Sequence, residues 1–173
     1  MKNKILLSLI ILFLIFCFIV FFKGLNKSNI YVPKLKFEKS LINFKSKDLL
    51  SEIEISSDQI FNNSNFYILN IWSSWCIPCR DEHKLFMQLS KNLSVKLIGL
   101  NYKDNPSNAK KFLNELGNPY SVIISDVDGI ISIELGAYGV PETFIINKEK
   151  MIIKKIIGPI NEKLINEINL LIK

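Results

Sequence analysis

Two cysteines three residues apart, Cys76 and Cys79, are the part of this 173-residue chain best suited to chemistry. They stand in the stretch Trp72-Ser73-Ser74-Trp75-Cys76-Ile77-Pro78-Cys79-Arg80. At that spacing on a helix two side chains face the same way, with β-carbons about 5–6 Å apart. Bridged cysteines have α-carbons about 4.4–6.8 Å apart, so the pair can close and open as a disulfide. The thiolate of such a pair is a nucleophile toward other disulfides. A closed zinc site needs about four ligands. The chain offers three cysteines, with Cys17 inside an apolar run, and a single histidine, His83. A metal site within one chain is therefore short of ligands, and neither a metal nor another cofactor is expected. A structural disulfide closing so small a loop would constrain the unfolded chain little. Thiol–disulfide exchange is the chemistry this pattern points to.

The elements around the cysteines suit that chemistry. Phe66-Tyr67-Ile68-Leu69-Asn70-Ile71 is an apolar run of strand length. After it, Cys79, Glu82, Phe86, Leu89 and Leu93 recur at helical spacing, which predicts a helix to about Asn92. Cys76 thus falls at a helix N-terminus, where free N–H groups and the helix dipole stabilise a thiolate. Cys76 is the expected attacking thiol and Cys79 the shielded, resolving one. Pro78 lies in the first turn, where a missing N–H costs little.

Further along, Val95–Leu100 predicts a second buried strand. Asn105-Pro106 opens a helix that Gly117 ends. Ser121–Ile124 is a short extended run, and Asp126-Val127-Asp128-Gly129 a turn. An EF-hand loop starting at Asp126 would need a glutamate where Ala137 stands. Glu142–Ile146 and Met151–Ile157 predict a hairpin, and Asn161 caps a last helix bearing Leu164, Ile165, Ile168, Leu171 and Ile172. Ser57–Ile60 predicts a short helical turn. The order β-α-β-α-β-β-α predicts a thioredoxin-like α/β layer fold.

The whole chain is 49% hydrophobic, and the N-terminus carries much of that. Ile5–Phe22 is apolar except for Ser8, close to the length of a membrane span. Lys2 and Lys4 precede it, and Val20-Phe21-Phe22-Lys23 offers no small-residue cleavage site. Residues 1–23 are expected to be an uncleaved single-pass anchor, 24–40 a linker, and 41–173 the folded domain; a cleaved signal is the alternative. The net charge of +6 is unevenly spread. Residues 1–47 hold nine lysines against Glu38, whereas 48–173 hold 13 basic and 15 acidic residues. A folded basic face is absent from that pattern, so nucleic acid is not an expected partner. The basic segment beside the anchor suits anionic lipid head groups.

Four blocks resemble the membrane-anchored CcmG/DsbE thiol:disulfide interchange proteins. They are Asn70–His83, Gly99–Asp104, Leu116–Tyr120 and Gly136-Ala137-Tyr138-Gly139-Val140-Pro141-Glu142-Thr143-Phe144. The resemblance covers about residues 58–160; residues 30–57 depart from the family pattern.

The resemblance implies a periplasmic reductant of cytochrome c maturation, held by a single-pass anchor in a bacterial inner membrane. It would keep the haem-attachment cysteines of apocytochrome c reduced, directly or through a dedicated partner thiol protein. A membrane thiol transporter of the DsbD/CcdA type would supply its electrons. By the same resemblance the Val140–Pro141 bond is expected to be cis beside Cys76. Trp75, Val140, Pro141 and Glu142 would then meet the substrate. Glu82 shares the helix stripe of Cys79. In thioredoxins a buried acid occupies the strand position that is Asn70 here, so Glu82 and Glu142 are expected to supply that acidity. The alternative for Glu82 is a solvated helix residue, and for Glu142 a plain loop residue. His83 is expected to be a packing or surface residue. Two other functions fit the same residues: a general thiol reductase of the TlpA or ResA kind, and a tethered module that binds apocytochrome without turnover.

Overall fold

The computed structural model describes residues 2–26, 39–91 and 95–172. The chain divides into two compact units, Met1–Tyr31 and Val32–Lys173. The first is one helix, α1 (Lys2–Asn26), which continues three residues past the expected end of the anchor. Its Lys4–Gly24 stretch has a mean hydropathy of 3.4 and is long and apolar enough to cross a bilayer.

In the second unit the elements run β1 (Lys39–Ser40), β2 (Lys45–Asp48), β3 (Glu54–Ser56), α2 (Ser57–Ile60) and β4 (Phe66–Trp72). There follow α3 (Ile77–Leu89), β5 (Val95–Tyr102), α4 (Pro106–Leu116), β6 (Val122–Asp126), α5 (Ile130–Leu135), β7 (Glu142–Asn147), β8 (Met151–Ile157) and α6 (Glu162–Leu171). One mixed sheet runs β1-β8-β7-β4-β5-β6-β2-β3. β4, β5 and β6 are parallel neighbours, while β4–β7 and β7–β8 are antiparallel. This is the thioredoxin-like α/β fold expected.

Alternation along β4 sorts the core into two layers. Tyr67, Leu69 and Ile71 pack on one face with Ile98, Leu100, Ile124, Phe144 and Ile146. Ile68 and Trp72 pack on the other with Phe86, Phe112, Ile145 and Ile168. Burying one such side chain is worth about 1.5–3 kcal/mol.

Local signals explain most helix starts. Cys76 caps α3, Asn105 caps α4 and Asn161 caps α6, each accepting from N–H groups of the first turn. Ser56 and Gln59 form a reciprocal capping box on α2. α3 ends at Leu89; Asn92, where the sequence put its end, lies outside the described residues, as do 27–38 of the expected linker. β1 falls inside that linker stretch and pairs with β8 through Lys39↔Ile152.

The element α5 has no counterpart in the sequence reading. It is six residues long, with Ile130 and Ile133 exposed, so no inward apolar stripe announces it. Buried Asp126 holds its start, accepting from Ile131 N at 3.1 Å and Ser132 N at 2.9 Å. The extended run 121–124 becomes β6, a full member of the sheet.

Candidate active site

Strand β4 delivers the chain to the cysteines, and the following turn is tied down by Asp104. That carboxylate, 7% exposed, accepts from Ser74 N at 2.6 Å, Ser74 Oγ at 2.7 Å and Asn105 N at 2.8 Å. Asn101 Nδ2 donates to it at 3.0 Å, and Ser73 Oγ donates to the Tyr102 carbonyl. The Trp75 indole donates to the Lys103 carbonyl at 3.1 Å while more than half of its surface stays exposed. The end of β5 thus fixes the approach to Cys76.

Cys76 and Cys79 form a disulfide with a Cα–Cα distance of 5.3 Å. Cys79 N–H donates to Cys76 Sγ at 3.2 Å. That bond, at the N-terminus of α3, is the contact that stabilises a thiolate on Cys76 once the bridge is reduced. Exposure does not separate the two cysteines, which are 4% and 2% exposed. Position on the helix does, because the end of the helix favours charge at Cys76.

Glu82 is 2% exposed. Its Oε1 accepts from Asn70 Nδ2 at 3.2 Å and its Oε2 from Ile160 N at 2.7 Å. Burial raises its carboxyl from the ordinary 4.5 to about 7, against the lowering effect of those two hydrogen bonds. A solvated Glu82 is thereby excluded.

Across the sheet, the Val140–Pro141 peptide bond is cis. Glu142 follows it at 1% exposure, with its carboxylate turned inward. Oε1 accepts from Tyr138 N at 2.6 Å and Gly139 N at 3.1 Å. Lys155 Nζ, on β8, is 3.0 Å from Oε2 in a buried ion pair outside hydrogen-bond geometry. Its ammonium donates to the Gly136 carbonyl at 2.7 Å and sits 3.9 Å from the Tyr138 ring centroid. Glu142 and Lys155 therefore staple the loop 136–141 at both ends. The Glu142 carboxylate is thus committed to that loop and to Lys155.

His83 is buried at 3%. Its Nε2 pairs with the Gly117 carbonyl at 2.9 Å and its ring meets Phe112 edge-on. Burial holds its pKa below the usual value. It is a packing residue that also closes the end of α4. No group of metal-ligating side chains occurs among the described residues.

Three contributors escaped the sequence reading. Asp104 ends the stretch Gly99–Asp104, but its link to Ser74 spans 30 residues. Tyr120 reaches Asn70 from 50 residues away. Lys155 had a usable signal. Glu142 pairs with Ile157 across the hairpin, so Lys155 is its diagonal neighbour on the same face.

A disulfide of this spacing at a helix start, on a thioredoxin-like sheet whose strand β7 follows a cis X-Pro bond and pairs with β4, defines a thiol–disulfide oxidoreductase. Comparison with known proteins narrows the class. The Redoxin family matches residues 37–170. The thiol:disulfide interchange protein DsbE of Vibrio cholerae is 35% identical over 168 residues, 94% of this chain and 90% of that protein. DsbE of Escherichia coli K12 is 32% identical over 172 residues, 96% and 92% of the two chains. Among solved structures, StoA from Bacillus subtilis superposes with a TM-score of 0.55 at 28% identity, covering 73% of this chain and 96% of its own. A secreted Mycobacterium tuberculosis disulfide oxidoreductase gives a TM-score of 0.63 at 17% identity, over 75% and 93%, a likeness of fold. The chain belongs to the Redoxin family and, within it, to the DsbE/CcmG thiol:disulfide interchange proteins.

Proposed function

We propose that this protein is the reductant of cytochrome c maturation, acting in the periplasm from a single-pass anchor formed by residues 1–23. The observation that carries the reading is the Cys76–Cys79 bridge at the start of α3, with a buried carboxylate held by an amide and a backbone N–H three residues further along the same helix. The reduced Cys76 thiolate attacks one sulfur of a substrate disulfide, forming a mixed disulfide and releasing the other sulfur as a thiolate. The Cys79 thiolate then attacks Cys76 Sγ. The second substrate sulfur leaves, the two substrate sulfurs take up two protons, and two electrons have passed from the dithiol. Glu82, titrating near neutrality, is the group that takes the Cys79 proton and returns one to the site.

In this reading Trp75, Val140 and Pro141 line the place where substrate backbone lies. Glu142 is a positioning residue for that loop, through Tyr138 and Gly139. The substrate is apocytochrome c or a dedicated thiol protein that serves it, and a DsbD/CcdA-type membrane protein restores the dithiol. The N-terminal apolar helix and the DsbE relatives support a membrane-anchored periplasmic location.

The test is a trap. Full-length Cys79→Ser, expressed in cells making cytochrome c, cannot resolve its mixed disulfide and accumulates it through Cys76. The expected adducts are apocytochrome c or components of its maturation. Capture of exported proteins at large, without that enrichment, would assign the chain to general thiol reduction. Absence of any adduct, with the fold intact, would favour the binding module.

A further inference from the structure

On the face of the sheet that packs under α3, β4 presents Ile68, Asn70 and Trp72. The middle residue is polar and 1% exposed. Its neighbours across the ladder are Gly99 on β5 and Thr143 on β7. Gly99 leaves a gap there. A β-carbon on it would meet Trp72 Nε1 at 2.8 Å and the Tyr120 ring at 3.0 Å. The Tyr120 ring occupies that gap, stacked on Trp72, and its hydroxyl donates to Asn70 Oδ1 at 2.8 Å. The other end of the amide faces acceptors. Asn70 Nδ2 lies 3.2 Å from Glu82 Oε1, 3.3 Å from Thr143 Oγ1 and 3.5 Å from the Glu142 carbonyl.

We propose that Tyr120 and Asn70 are positioning residues for Glu82: the phenol holds the amide with its N–H side against the carboxylate, and so governs how readily the buried acid gives up its proton. The proposal rests on the reading of Glu82 as the acid of the thiol chemistry. A turned amide would set Oδ1 against the Glu82 carboxylate and the Glu142 carbonyl, oxygen against oxygen. The hydroxyl opposes that turn and polarises the amide, strengthening the N–H bond it makes to Glu82. Burial, and then the neighbouring Glu82, push the Tyr120 phenol well above its ordinary pKa. It therefore stays protonated and serves as a donor throughout the working pH range.

The surroundings of Glu82 leave this arm in control. Its other donor is the Ile160 backbone N–H, which any substitution at Ile160 other than proline leaves in place. Among the described residues no charged side chain acts on it. The titratable groups around it are the thiol of Cys79 on α3, the Tyr120 phenol, and His83, whose ring is engaged with the Gly117 carbonyl. β4 and β7 contribute uncharged Asn70 and Thr143.

The experiment follows Glu82 in the reduced, full-length protein in detergent micelles. Its carboxyl carbon is titrated by NMR after glutamate labelling, and the rate of Cys76 alkylation is measured over the same pH range. Tyr120→Phe should raise the Glu82 midpoint by about one pH unit, a tenfold change in proton affinity, and move the alkylation profile with it. Thr143→Val removes an acceptor that competes for the Asn70 N–H and should lower the midpoint. In a Glu82→Gln background, Tyr120→Phe should leave the shape of the alkylation profile unchanged. A packing role for Tyr120 would instead slow alkylation evenly at every pH. A midpoint that stays in place in either single variant, or moves with the opposite sign, overturns the proposal. The measurement needs no partner, so a trap that captures unexpected proteins leaves it standing.

Discussion

Glu82 and Glu142 sit on opposite faces of one sheet, each almost fully buried, and their surroundings make them different groups. Glu142 faces a lysine ammonium at 3.0 Å and two loop N–H groups. Among the described residues Glu82 has one amide and one backbone N–H and no cation. Burial then dominates, and the Glu82 carboxyl rises to about 7. Residue type and depth are shared, so the partner's charge decides the role. A carboxylate matched to a cation holds a loop in shape. One left to neutral donors keeps a proton it can exchange near neutral pH.

The largest effect should come from breaking the matched pair. Lys155→Met leaves the Glu142 carboxylate buried without its cation, which costs about 3–5 kcal/mol. The urea midpoint of the full-length protein, followed by tryptophan fluorescence, should drop accordingly. Adding Glu142→Gln to that variant should restore much of the loss, because a buried pair as a whole contributes little net stability. An additive double variant would show that the two residues do not act as a pair.

The unmatched acid should give a smaller effect, visible as pH dependence. The fold raises the Glu82 pKa from 4.5 to about 7, so the folded protein binds this proton more tightly than the unfolded chain. The stability it confers is complete below pH 4.5 and is lost as pH rises through 7. The ionised form above that range costs on the order of 3 kcal/mol. Urea unfolding of Glu82→Gln across this window should be flatter than that of the unaltered chain, and the variant relatively more stable above it. Parallel curves would mean that water or a cation reaches Glu82.

Tyr138→Ala should do least. Its ring stands over the Lys155 ammonium but is 79% exposed. An exposed contact of this kind is worth about 0.5–1 kcal/mol. The urea midpoint should fall by no more than that, while the yield of mixed disulfide in the Cys79→Ser background should fall clearly. A stability loss rivalling that of Lys155→Met would make Tyr138 part of the staple.

The contrast also marks how far the sequence could be read. The cysteine pair, its helix start and the asparagine caps are matters of neighbouring residues, and they stand where their spacing put them. Glu82 was legible as a member of a helical stripe. Its environment was not, since Asn70 and Ile160 lie 12 and 78 residues away in the chain. Glu142 was legible through its place after Pro141, but its inward turn depends on Lys155, which only the β7–β8 register brings near. The helix α5 was hidden because its cap, Asp126, sits four residues before its first helical residue and its exposed isoleucines break the amphipathic pattern.

The outer strands of the sheet have a bearing on solubility. Among the described residues the sheet ends in β1 and β3, two and three residues long, carrying Lys39 and Glu54. Long flat edges recruit foreign strands, and short charged ones resist them. In the proposed function the substrate is an extended apocytochrome or a thiol protein that serves it, so strand-forming chains would meet the domain at every turnover. With its rims blunted, it offers such chains little template for adding to the sheet, and the domain is protected from becoming the seed of its clients' aggregation.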